Sequence, residues 1–274
     1  MQITALFLDL DGTLLSSKKT ISTTDYHSLN KYLNHGGKVF IASGRSPIAI
    51  SNLTYRLNLN KEFVAYNGAF VFLSLKEYKR FPLSYEQIMF VMSIANRYSL
   101  EILLFSEDSV IVKSVNKTNQ FLLSDTIPIQ VFETFLIDNN QLKIIETQSF
   151  DKYTNNILKI SLLHEKFSII SNVFELLNKL NLNLNIICTA SHIEITSNLS
   201  DKYTGAKIIL DSLSMNPENA VAIGDGKNDL TLLRKLGIGV AMLNASSIVR
   251  KKASFVTKDN DSNGVSHAIE TLLI

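Results

Sequence analysis

Ile3-Thr4-Ala5-Leu6-Phe7-Leu8-Asp9-Leu10-Asp11-Gly12-Thr13 decides the reading of this chain: an apolar strand runs straight into two carboxylates placed two residues apart. Side chains on a strand alternate with a period of two, so Asp9 and Asp11 leave it on the same side. Gly12 permits a sharp turn, and Thr13 brings a hydroxyl within reach of whatever sits there. Two carboxylates this close repel. Such a pair implies a cation between them, a shared proton, or two separate chemical tasks. Taken alone, the stretch reads equally well as a strand ending in a polar turn. The surrounding sequence separates the two.

Working outward, the first eighty or so residues alternate strand and helix. Ser22 is placed to cap a helix carrying Tyr26, Leu29 and Leu33 on one face and stopping at Gly36-Gly37. Lys38–Ala42 reads as a second strand ending in Ser43-Gly44-Arg45, and Pro47 suits the first turn of the helix that follows. Phe63–Tyr66 reads as a third strand, ending in Asn67-Gly68. Short apolar strands separated by amphipathic helices imply a parallel sheet covered on both faces.

Near Pro82 the pattern changes. Helices at Ser84–Tyr98 and about Lys166–Leu180 accompany strands at Glu101–Phe105, Ser109–Val112, near Ile129–Phe132, at Ile157–Leu163 and up to Cys188, with another helix after Val112. Closely spaced strands suggest an antiparallel sheet with helices on one face, an α+β insertion large enough to be a domain. The βα rhythm is expected to return after Ile193–Thr196: helix Thr204–Leu213, then strand Ala220–Ile223 ending in Gly224-Asp225-Gly226-Lys227-Asn228-Asp229, then further short elements to a closing helix from Gly264. The expected fold is therefore α/β. A doubly wound, parallel, Rossmann-like core (1–82 and 190–274) receives an inserted α+β cap (83–189).

Composition limits the function. With 46% hydrophobic and 19% charged residues, 274 residues describe an ordinary globular protein. The 27 basic and 25 acidic side chains are interspersed, and Arg250-Lys251-Lys252 is the longest basic run, so no nucleic-acid partner is expected. No apolar run is long enough for a membrane span. The lone Cys188 excludes an intrachain disulfide. With no leader pattern at the acidic first strand, a cytoplasmic protein is expected.

In an open parallel sheet, ligands bind beyond the carboxyl ends of the strands, where the connections switch direction. With the first strand central, four polar strand ends would meet there: Asp9 to Thr13, Ser43 to Arg45, Asn67-Gly68 and Gly224 to Asp229. The chemistry suggested is phosphoryl transfer through a carboxylate nucleophile. A cation between Asp9 and Asp225 would let that anion approach an anionic phosphoryl group. Oxygen ligands without a His/Cys cluster suit Mg²⁺ rather than Zn²⁺. Ser43 and the Gly44 amide could donate to phosphoryl oxygens, and a lysine is wanted to balance the charge. By itself Lys202 reads as a surface lysine. Asp225 and Asp229 read equally as helix caps.

These motifs, together with Lys202 and Gly239-Val240-Ala241-Met242-x-Asn244-Ala245, resemble the haloacid-dehalogenase superfamily, in its Cof-like class IIB sugar-phosphatase branch, across essentially the full chain. The resemblance implies Asp9 as nucleophile and Asp11 as general acid/base. It implies Thr13, Ser43, Gly44, Lys202 and Asn228 at the phosphate, with Arg45 and Asn67 on the substrate side. Asp9, the Asp11 carbonyl and Asp225 would hold Mg²⁺, supported by Asp229. The partner would be a small phosphorylated metabolite. The sequence departs from the family at Ser43, where threonine is commoner, and at Tyr203, where glycine is usual. Rival readings are a phosphomutase, a phosphate-accepting receiver module and a silent sugar-phosphate binder. A receiver lacks the long insertion, and the intact Asp11 speaks against a silent binder.

Overall fold

A computed structural model describes residues 5–115, 143–180, 182–189 and 192–274. The strand expected near Ile129–Phe132 and the helix before it lie outside these residues. The chain opens with β1 (Ala5–Leu8), α1 (Thr23–Asn34), β2 (Lys38–Ala42), α2 (Pro47–Arg56), β3 (Phe63–Ala65), β4 (Phe70–Ser74) and β5 (Glu77–Arg80). It continues through α3 (Tyr85–Arg97), β6 (Glu101–Phe105), β7 (Ser109–Val112), β8 (Lys143–Glu146), β9 (Lys159–Leu163), α4 (Phe167–Lys179), β10 (Leu184–Cys188) and β11 (His192–Ser197). The last part holds α5 (Lys202–Ser212), β12 (Ala220–Gly224), α6 (Leu230–Lys235), β13 (Ile238–Ala241), α7 (Ser247–Arg250), β14 (Phe255–Val256) and α8 (Gly264–Leu272).

Two compact units result: one of Met1–Arg45, Ile50–Lys79 and Asp201–Ile274, the other of Ser46–Ala49 and Arg80–Ser200. The first is built on an eight-stranded sheet ordered β14-β13-β12-β1-β2-β3-β4-β5. From β14 to β3 every pairing is parallel, with Leu8 opposite Ile41 on one side and Ile223 on the other. Strand β1 is thus central. Phe7, Phe40 and Ala222 pack with Ala206, Ile209 and Leu210 of α5 and with Leu232 and Leu233 of α6. Their neighbours Leu6, Leu8, Val39 and Ile41 are equally buried, as strands covered on both faces require. Two strands went unread in the sequence: β4 runs antiparallel to β3, and β5, made of Glu77-Tyr78-Lys79-Arg80, forms the edge.

The second unit is a six-stranded sheet ordered β10-β11-β9-β6-β7-β8, with α3 and α4 supplying Ile88, Val91, Ile94, Ile170, Val173 and Leu177 to its core. Two expectations are corrected. The sheet is not wholly antiparallel, because β8 pairs parallel with β7. The strand around Ile193–Thr196 does not begin the return to the core. It pairs antiparallel with β10 and β9, and Ile193 and Ile195 join the same apolar cluster as Ile160 and Leu162. The first unit therefore resumes at Asp201, not at residue 190. Cys188 ends β10 half-buried.

The phenyl rings of Phe7 and Phe40 stack with centroids 5.0 Å apart on adjacent central strands, and both are fully buried. Phe40→Ala leaves a cavity between β1, β2 and α5. It should cost about 3–5 kcal/mol, read as a lower urea midpoint of the transition that reports the parallel sheet.

Candidate active site

The parallel register brings the polar strand ends together. Asp9 follows β1 and its amide donates to the Ile223 carbonyl at 3.0 Å, so Asp9 emerges beside the turn that holds Asp225. On the other side the Ser43 amide continues the β2–β3 pairing by donating to Val64 O at 2.9 Å. The Asn67 amide donates to Ser43 O at 3.0 Å, and the Tyr66 amide to Arg45 O at 3.0 Å. Asn228 Nδ2 closes the ring by donating to Asn67 Oδ1 at 2.9 Å.

At the centre lies Lys202, fully buried, with Nζ 2.8 Å from Asp9 Oδ1 and 2.6 Å from Asp229 Oδ1. Helix α5 begins at this residue because Asp201 caps it, its side chain accepting from the Thr204 amide at 2.7 Å. Gly68, at φ +104°, lets the Asn67 turn meet that cap: a Cβ there would lie 2.2 Å from Asp201 O. Asp229 turns its other oxygen to the amides of Asp225 (3.1 Å) and Gly226 (2.8 Å). Thr13 Oγ1 donates to Asp225 Oδ1 at 2.9 Å. Gly12, at φ +77°, leaves room for that carboxylate, since a Cβ would stand 2.4 Å from Asp225 Oδ2.

Ligand oxygens of Asp9, Asp225 and Asp229 lie within 4.8 Å of one another. Among the described residues the Lys202 ammonium lies directly against this group, so three carboxylates, Asp9 and Asp229 buried and Asp225 partly so, share its positive charge. That excess, carried by oxygen alone, fits a hard divalent cation. The charges also show in the acidities. Burial pushes the Asp9 carboxyl well above its ordinary value; Lys202 pulls it down, while Asp229 and Asp225 add to the rise. Burial, then the Asp229 charge, push Asp225 up to about 6. Burial would lower the Lys202 ammonium, but Asp229 and Asp9 outweigh it and hold the proton firmly.

Asp11 lives in a different environment. Its carboxylate accepts from Arg45 Nε and Nη2, each at 2.8 Å, and from Lys19 Nζ at 2.8 Å. Burial works to raise its pKa, yet Arg45 and Lys19 prevail and lower it.

The predicted residues thus fall into groups. Asp9, Asp225, Asp229, Lys202 and Thr13 form one network. Asp11 and Arg45 form a second, and Asn67 and Asn228 a bridge. The Thr13 hydroxyl, expected at a phosphate, is committed to Asp225 in this structure. Ser43 Oγ accepts from the Arg45 amide at 3.3 Å, and Gly44 lies between these two. Sequence reasoning missed Lys19, which no motif marks. It also left Asn244 without a role. Asn244 Nδ2 donates to Gly12 O at 2.8 Å, and its place in the Gly239–Ala245 motif was the available signal.

The sequence profile of the haloacid dehalogenase-like hydrolases matches residues 6–269. The pyridoxal phosphate phosphatase YbhA of Escherichia coli is 24% identical over 283 residues, covering 100% of both chains. A solved haloacid dehalogenase-like hydrolase from Bacteroides thetaiotaomicron is 28% identical with a TM-score of 0.81, over 99% of this chain and 100% of its own. The subclass IIB sugar phosphatase BT4131 shares the fold at 24% identity and a TM-score of 0.81, over 99% of this chain and 100% of its own. The chain belongs to the haloacid dehalogenase-like hydrolases.

A cation bound between Asp9 and Asp225 would have to displace the protons that burial favours on both. In chelator-treated protein, divalent-cation affinity should therefore rise as pH climbs through about 6, where Asp225 gives up its proton. Titration calorimetry at pH 5 and pH 7 should show about a tenfold or greater difference in Kd, with proton release on binding at the lower pH.

Proposed function

We propose that this chain is a Mg²⁺-dependent phosphatase of small phosphate monoesters, working through an aspartyl-phosphate on Asp9. The observation that carries the reading is the position of Asp9: it sits at the end of the central strand, 2.8 Å from a fully buried lysine and within the three-carboxylate group. In the first half-reaction an Asp9 oxygen attacks phosphorus, the ester P–O bond breaks, and Asp11 gives its proton to the departing oxygen. In the second, water attacks the phospho-aspartate, Asp11 takes the water's proton, and inorganic phosphate leaves with Asp9 restored. Lys202 holds Asp9 and carries positive charge at the reacting end of the site. Ser43 and Gly44, with Asn228, line the phosphate side. Mg²⁺, held by Asp9 and Asp225 with Asp229 in support, would neutralise charge between nucleophile and phosphoryl group.

The substrate class follows the relatives, one named for pyridoxal phosphate and one for sugars. The inserted unit is the part of the chain proposed to choose among such monoesters. The half-buried lone thiol of Cys188 suits a reducing cytoplasm.

Asp9→Asn keeps the shape but removes the nucleophile. It should fold normally and lose several orders of magnitude in kcat on p-nitrophenyl phosphate; a near-parental rate would sink the assignment. Chelation with EDTA should abolish turnover and Mg²⁺ restore it, whereas full activity in EDTA, or recovery with Zn²⁺ alone, contradicts an oxygen-ligated Mg²⁺ site. Asp11→Asn should slow alkyl phosphates, which need a proton on the leaving oxygen, more than p-nitrophenyl phosphate. If both substrates lose rate equally, Asp11 is structural only.

A further inference from the structure

Lys19 has no part in the reaction as written, yet the loop between β1 and α1 is shaped around it. The chain folds back from Leu10, whose carbonyl accepts from the Leu15 amide at 2.8 Å, into a tight turn. In that turn the Ser16 amide donates to Thr20 O at 2.9 Å, and the Lys19 amide donates to Ser16 O at 2.9 Å. Lys19 there has φ +59°, a left-handed conformation that glycine and asparagine adopt most readily. Among the described residues, the other non-glycine residues with positive φ are all Asn or Ser except Tyr66, which also flanks the site. A lysine thus stands where glycine would be less strained. Its side chain is 27% exposed, so it fills no core. What it delivers is Nζ, 2.8 Å from Asp11 Oδ1.

The turn is also pinned from outside. Asn260 Nδ2 donates to Leu15 O at 2.9 Å, the Ser17 amide to Asp261 Oδ1 at 2.8 Å, and Asn244 Nδ2 to Gly12 O at 2.8 Å. These three bonds tie the loop at both ends of its reversal and fix where Lys19 stands. Arg45, only 2% exposed, grips both oxygens of Asp11 from the side of β2. Lys19 shares Oδ1 with it from the opposite loop.

We propose that Lys19 is a positioning residue for Asp11: with Arg45 it sets the orientation of the carboxylate that exchanges a proton with the leaving group and with water. The inference rests on the proposed acid/base role of Asp11. Misplacing a proton donor slows the chemical step more than it weakens substrate binding, and it does so most where the leaving oxygen is basic.

The test compares Lys19→Gly, Lys19→Arg and Asp11→Asn with the parent, on an alkyl phosphate and on p-nitrophenyl phosphate. Glycine suits the backbone, so Lys19→Gly should melt no lower than the parent and bind Mg²⁺ with unchanged affinity by calorimetry. Its kcat should fall about tenfold on the alkyl phosphate and less than about threefold on p-nitrophenyl phosphate, with KM within about twofold. Lys19→Arg should recover most of the loss. If the glycine variant does not fold, Lys19→Asn takes its place, since asparagine also accepts the left-handed region. Parental rates in the glycine or asparagine variant, or equal losses on both substrates with no rescue by arginine, would overturn the role of Lys19. If Asp11→Asn shows no dependence on the leaving group, the acid/base reading fails, and the inference with it.

Discussion

Two buried carboxylates and a partly buried third, facing one buried ammonium, form the constraint around which the first unit is organised. Asp9 and Asp225 come from adjacent parallel strands whose register leaves them side by side. Asp229 reaches back from the first turn after β12, held by two backbone amides. Lys202 arrives from another direction, at the start of α5, where Gly68 permits the close approach of the Asn67 turn to Asp201. Burying a lone charge costs far more than one ion pair returns, so such a group persists only when its members satisfy one another. The two contacts of Lys202 with Asp9 and Asp229 meet that condition for the cation and leave the anions in excess.

Much of this was legible before the structure, because each cluster sits where an apolar strand stops. Asp9, Ser43, Asn67 and Asp225 follow β1, β2, β3 and β12, and parallel pairing gathers strand ends without further instruction. Lys202 carries no such mark. The stretch around it reads as an ordinary helix start, and its burial depends on carboxylates far away in the chain. Lys19 is harder still: eight residues beyond Asp11, it returns only because a left-handed turn reverses the loop. Backbone conformations of that kind have weak sequence signatures unless glycine or asparagine supplies them.

β11, expected in the first unit, belongs to the second, and its own residues carry the reason. Strands covered on both faces read as continuous apolar runs, as Ala5–Leu8 and Ala220–Gly224 do. His192-Ile193-Glu194-Ile195-Thr196-Ser197 alternates instead, the pattern of a sheet with an apolar core on one face only. In the structure Ile193 and Ile195 point into that core. Glu194 faces the other way and pairs with Lys159 at 3.1 Å. The alternation therefore places β11 in the six-stranded sheet. β5 escaped for the opposite reason: Glu77-Tyr78-Lys79-Arg80 is exposed throughout, and charged edge strands carry no hydrophobic period to detect.

The two aspartates of the opening motif end in opposite electrostatic environments, and the sense of the opposition matters. Burial, helped by the charges of Asp229 and Asp225, raises the pKa of Asp9 against the pull of Lys202, whereas Arg45 and Lys19 overcome burial and lower that of Asp11. A nucleophile must be ionised and an acid must carry a proton, so the proposed chemistry needs the reverse of both shifts. For Asp9 the proposed divalent cation would supply that correction, as positive charge shared with Asp225 and Asp229. For Asp11 the ionised form held by Arg45 and Lys19 is already the one that accepts a proton from water. Its acid form requires that this pair release one oxygen, and Lys19, 27% exposed against 2% for Arg45, is the more mobile candidate to do so. In the proposed reaction the carboxylate that attacks is thus governed by the acidic cluster around Lys202, and the one that exchanges protons by Arg45 and Lys19 from separate loops.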